Sequence, residues 1–113
     1  VILDRVLIFD GRRIEILTFD LKHINYGWNK INKEYNLKKR SDYRADDIVF
    51  IFNLLVNYNF KSDTANKIEV IIKQKHYTRY IIYFIDPWSA KTKKTVIDID
   101  FEFNNKAIIL TIY

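Results

Sequence analysis

Cysteine and methionine are absent from this chain of 113 residues, and there are only two glycines and one proline. Without cysteine there is no disulfide framework, no thiolate metal site and no cysteine nucleophile. So little glycine and proline excludes a loop-rich scaffold, and turns fall largely to Asn, Asp and Ser. No apolar run approaches the roughly 20 residues of a membrane span. The first residues also lack the basic, apolar and small-residue layout of a signal peptide, although a chain that opens on Val1 leaves room for an upstream portion. There is no Gly-rich phosphate loop, no His-Glu-x-x-His and no nucleophile elbow, so the sites built on those motifs are not expected.

What is present is aromatic and basic. Eight Phe, eight Tyr and two Trp, with 49% hydrophobic residues, predict a packed globule. The length fits one domain, 1–113. A net charge of +5 favours an anionic partner: nucleic acid, an acidic protein or a membrane surface.

Apolar β-branched residues over 2–9 and 13–19, separated by Asp10-Gly11, predict an N-terminal hairpin, because glycine accepts the positive φ of a tight reversal. The period then changes. Leu21, Ile24, Trp28, Ile31 and Tyr35 draw one stripe down a helix, with Asp20 placed to cap it. Gly27 lies inside that stripe and costs about 1 kcal/mol against alanine, so close packing is expected there. Lys22, Lys30, Lys33, Lys38, Lys39 and Arg40 lie off the stripe or just beyond it, as a solvated face or a phosphate-tracking one. A second helix is predicted from Ala45 to Tyr58, with Asp46 and Asp47 at the positive end of its dipole and a wide apolar face. Residues 57–66 read as a connecting loop.

Period two governs the rest. Strands are predicted at 68–73, 79–85, 95–103 and 107–113, with breaks at Asp86-Pro87-Trp88-Ser89 and Asn104-Asn105. The expected architecture is α+β: two helices packed on one face of an antiparallel four-stranded β-meander, with an extra N-terminal hairpin. The parts are a hairpin at 1–19, a helical part at 20–58 and the sheet at 67–113.

The stretch from Lys73 to Tyr83 carries the densest chemistry. His76 stands between Lys75, Tyr77 and Arg79, where an imidazole works as acid or base near neutrality. Arg79 suits bidentate phosphate binding, and Tyr77 or Tyr80 suits stacking on a base. Such a set meets the needs of RNA cleavage through the 2′-hydroxyl: a base, an acid and a cation. A polar hairpin turn explains the same residues without function. His23 opens the first helix beside Lys22 and falls outside its apolar stripe. Asp98, Asp100 and Glu102 alternate along one strand face, either as the wet side of a half-buried sheet or as ligands for a divalent metal.

The order of these parts resembles the small bacterial ribonuclease toxins of the RelE/barnase/EndoU/colicin group. The resemblance rests on Thr18-Phe19-Asp20-Leu21-Lys22-His23-Ile24, Asp46-Asp47-Ile48-Val49, Arg79-Tyr80-Ile81-Ile82-Tyr83 and the closing Ile108-Ile109-Leu110-Thr111-Ile112-Tyr113. It implies helices on one side of a four-stranded antiparallel sheet and cleavage of RNA with no metal or other cofactor. It also implies catalytic roles for His23, Arg79, Thr111 and Tyr113. Local chemistry adds His76 as a catalytic candidate and Lys22, Lys75, Tyr77 and Tyr80 as substrate-binding ones. The first helix lacks the arginine-rich repeat of such toxins, and the acidic stripe is unlike them. The reading is a metal-independent endoribonuclease toxin, either of a toxin–antitoxin pair or the C-terminal part of a larger secreted protein. Its site of action is the cytoplasm, its substrate RNA, and its partner an acidic antitoxin or immunity protein. The alternative is a non-enzymatic module of the same shape that blocks a protein target.

Overall fold

Alternating burial builds the sheet. The computed structural model describes residues 1–57, 66–100, 102 and 105–113. Tyr80, Ile82 and Phe84 of one strand point inward while Arg79, Ile81 and Tyr83 point outward, as period-two sequences require. The strands are β1 (Ile2–Phe9), β2 (Arg12–Phe19), β3 (Trp28–Asn29), β4 (Glu34–Tyr35), β5 (Lys67–Lys73), β6 (Tyr77–Ile85), β7 (Thr92–Asp100) and β8 (Lys106–Ile112). Two helices, α1 (Leu21–Tyr26) and α2 (Ala45–Asn57), complete the set. Among the described residues no helix is long and apolar enough to cross a membrane.

The predicted four-stranded antiparallel meander is corrected. One six-stranded mixed sheet runs β1-β2-β8-β7-β6-β5, and β3-β4 form a separate pair. The links β5-β6, β6-β7 and β7-β8 are antiparallel, but β2 then joins β8 in parallel through Leu17↔Ala107 and Phe19↔Ile109. The N-terminal hairpin is therefore part of the main sheet, not an addition to it. An unpaired β8 would leave a row of amides and carbonyls open, and β2 closes that row. The Glu15 and Ile16 amides both donate to the Asn105 carbonyl, 2.7 and 2.9 Å away, at the start of this pairing. The hairpin turn itself is as expected, with positive φ at Asp10 (51°) and Gly11 (74°).

The long first helix is corrected too. It ends after six residues at Gly27, whose φ of 78° leaves the helical region. Its conformation requires glycine, and a Cβ there would also push aside the side-chain ends of Asn36 (Nδ2 at 2.8 Å) and Arg40 (Nη1 at 2.9 Å). Asn29 then accepts the Ile31 and Asn32 amides and turns the chain between β3 and β4. Ile31 is 92% exposed and Trp28 is 40% exposed, so the lower stripe never reaches the core.

α2 starts where expected. Asp47 accepts the Arg44 amide at 2.8 Å and caps it. Its Ile48, Ile51, Phe52 and Leu55 are fully buried against one sheet face, with Phe52 stacked 6.2 Å from Phe9. α1 instead packs against β8. The predicted loop within 58–65, the last residue of the second helix, and the strand end and turn at 101, 103 and 104 lie outside the described residues.

Candidate functional site

A groove of about 560 Å³ opens beside α1, lined by Thr18, His23, Lys30, Arg79, Ile108 and Thr111 among others. These side chains come from β2, α1, the β3–β4 turn, β6 and β8, so the fold alone assembles them. Asp20 caps α1, accepting the Lys22 and His23 amides at 3.0 and 3.3 Å. Its second oxygen accepts the Tyr35 hydroxyl at 2.9 Å. Burial pushes the Asp20 carboxyl up, but the bonds from Tyr35, His23 and Lys22 outweigh it and hold it below the usual range.

Arg40 secures the other end of α1. It donates to the Ile24 carbonyl at 3.0 Å and to Thr111 Oγ1 at 2.8 Å, tying the last helical turn to β8. A cation at a helix C-terminus is favoured by the dipole. Sequence reading placed Arg40 only in a basic run, because its partner Thr111 lies 71 residues away.

His23 meets Tyr35 edge-on at 6.3 Å, and Tyr35 meets Trp28 edge-on at 4.9 Å. Lys22 Nζ lies 4.7 Å from the Tyr35 ring centre. Among the described residues neither the His23 imidazole nor Lys30 Nζ is held by a hydrogen bond or ion pair. These are the groups in the groove with unspent capacity.

Arg79 is already engaged. Its Nε and Nη2 donate to the two oxygens of Asp98 at 2.8 and 3.0 Å, and Tyr77 lies 5.5 Å from its guanidinium. The bond to Asp98 raises its pKa further above the ordinary value. The expectation that Asp98 sits on a wet face is corrected: it is 8% exposed and spends its charge on Arg79.

The remaining sequence candidates scatter. His76 does not line the groove; its Nδ1 pairs with Glu102 at 2.9 Å on the surface. Lys75 is exposed beside it. Tyr80 is fully buried and donates to Asp10, so its ring cannot stack on a base. Burial, then Asp10, pushes its hydroxyl up. Tyr113 is exposed, its backbone paired with Lys94 and its ring 5.6 Å from Lys94 Nζ. Of the nine candidates, His23, Arg79 and Thr111 meet in the groove, and Lys22 lies over the Tyr35 ring outside its lining. Among the described residues no three His, Asp or Glu side chains are placed to hold a metal.

A second polar constellation lies at the β6–β7 turn, built from residues far apart in sequence. Asp86 accepts the Tyr43 hydroxyl at 2.8 Å and the Trp88 amide at 2.9 Å, and pairs with Lys93 at 3.2 Å. Lys93 also donates to Tyr43 at 2.9 Å. Burial pushes the Asp86 carboxyl up, but these three bonds more than offset it and hold it down. Burial and Asp86 together push the Tyr43 hydroxyl up. With every member satisfied, this network is a brace between the segment before α2 and the β6–β7 turn.

No protein-family model, curated protein or solved structure matches the chain. The functional reading therefore rests on side-chain chemistry.

Proposed function

We propose that the groove beside α1 binds RNA and cleaves it at the 2′-hydroxyl without a metal, the protein acting as a ribonuclease toxin in the cytoplasm. An acidic antitoxin or immunity protein would suit its net charge. One observation carries the reading: His23 and Lys30, neither held by a hydrogen bond or ion pair among the described residues, share a groove with Arg79 and Thr111. His23 takes the 2′-hydroxyl proton as the 2′-oxygen bonds to phosphorus. Lys30 and the Arg79 Nη1 group, which takes no part in the Asp98 pair, offset the charge of the phosphorane. The bond from phosphorus to the 5′-oxygen breaks, and His23 returns its proton to that oxygen, leaving a 2′,3′-cyclic phosphate.

The test is incubation of the purified chain with mixed-sequence RNA in EDTA. Cyclic phosphate ends are expected, lost in His23→Ala and kept in His76→Ala. A requirement for magnesium, or activity that survives His23→Ala, would overturn the mechanism. RNA that is bound but left whole would favour the non-enzymatic module.

A further inference from the structure

We propose that Trp28 is a stacking platform that restricts the groove to single-stranded nucleic acid. The inference rests on reading the groove as an RNA site, and adds which form of RNA enters. Trp28 is the larger of the two aromatic residues on the β3–β4 pair and is 40% exposed. Its orientation is set. The ring stands at 80° to Tyr35, 4.9 Å away, and Tyr35 is in turn fixed by its bond to Asp20. A ring held by its neighbours loses little freedom when a base lands on it, which is what a platform requires.

Position supplies the second argument. Rings run from His23 in the groove through Tyr35 to Trp28 in steps of 6.3 and 4.9 Å. Lys30, two residues beyond Trp28, lines the same groove. Lys22 lies over Tyr35 on the same cluster. A phosphate at Lys30 and His23 thus has an aromatic surface close by for a neighbouring base, with cations on the backbone side. Single strands offer free base faces to such a surface, whereas duplex bases are stacked on one another. A core role does not account for Trp28, because the residues after it leave the helical stripe and Ile31 is almost fully exposed.

The experiment uses the full chain carrying Trp88→Phe, which leaves Trp28 as the only tryptophan. The probe is a 2′-O-methyl oligonucleotide, which cannot be cleaved at the 2′ position, so binding is read apart from chemistry. The single strand is expected to quench Trp28 fluorescence. Affinity should fall about tenfold in Trp28→Ala and stay within about threefold in Trp28→Phe, as loss of one stacked base implies. The matching duplex and inorganic polyphosphate should bind more weakly and leave the fluorescence unchanged. Binding with no quenching and an unaffected Trp28→Ala would overturn the platform and leave the groove reading standing. Equal quenching by duplex or polyphosphate would overturn base stacking. If no oligonucleotide binds, the groove reading fails with it. A Trp28→Ala loss that Trp28→Phe shares equally, with quenching absent, would mark a structural role and also overturn the proposal.

Discussion

At the start of β6 the bases that give the sequence its densest chemistry face acids across the sheet. Arg79 holds Asp98 with two hydrogen bonds, and His76 holds Glu102. In the groove beside α1 the local signal is thinner, one histidine at a helix start and one lysine in a basic run, yet among the described residues neither side chain is held by a hydrogen bond or ion pair. The difference follows from register. β7 pairs with β6 so that Asp98 lies opposite Arg79 and Asp100 opposite Tyr77, which places the acidic stripe beside the basic stretch. Opposite charges on cross-strand neighbours stabilise a sheet. A dense run of chemically able residues can therefore be structural, while groups that the fold leaves unmatched keep their chemistry free.

The sharpest way to break this comparison is to exchange the histidines. His23→Ala is expected to lower RNA cleavage by about a hundredfold or more, the scale of a lost proton-transfer group. His76→Ala is expected to leave the rate within about twofold, as the surface position of its Glu102 pair implies. Cleavage rates on a labelled RNA decide it, and the opposite ranking would return the site to the β5–β6 turn.

The paired arginine should matter most to stability. Asp98 is buried, and removing Arg79 strands its charge. Arg79→Ala is expected to cost about 2 kcal/mol, below the value for a fully buried pair because Arg79 is partly exposed. Asp98→Leu with Arg79→Met should recover most of it. Urea unfolding of Arg79→Met, Asp98→Leu and the double variant measures the coupling. Additive losses would show that the pair is not a unit.

On the groove side, Asp20→Ala should cost about 1 kcal/mol through the lost helix cap, whereas Asp20→Asn retains the cap. Because the folded Asp20 carboxyl is held below its ordinary value of 3.8, its contribution is present above about pH 4 and fades as pH falls through the folded value. Acid unfolding followed by circular dichroism should show a shallower acid limb for Asp20→Asn than for the parent. An unchanged acid limb would remove Asp20 from the account.

Lys30→Ala carries the smallest effect on the fold. Its measure is salt dependence: the slope of log affinity for RNA against log salt should fall by about one. Lys75→Ala, outside the groove, should change that slope far less. Equal changes would mean that the phosphates track the whole basic surface and not this groove.

Much of the fold was legible locally. The Asp10-Gly11 reversal, the start of α2 and the strands of the C-terminal half each follow from nearest-neighbour chemistry: positive φ at a turn, carboxylates at a helix start, and side chains alternating across a pleat. The first helix was overread because its apolar stripe continues in sequence while Gly27 breaks it in space. Only the structure reveals the positive φ at which Gly27 leaves the helix, with the ends of Asn36 and Arg40 packed against it. Arg40 itself was legible as a charge, and its work as a strap between α1 and Thr111 was not.

What the amino-acid order determined by itself is the inventory and the local shapes: no thiol chemistry, two histidines, a basic surplus, a hairpin and a run of alternating strands. What only the tertiary structure decided is which strands meet and which charges cancel. The parallel join of β2 to β8 spans most of the chain and depends on closing an open strand edge, which no short window of residues encodes. That join brings Thr18 beside Ile108, and α1 packs against β8. It thereby creates the groove and leaves His23 and Lys30 facing it, while strand register pairs off the residues that looked most active.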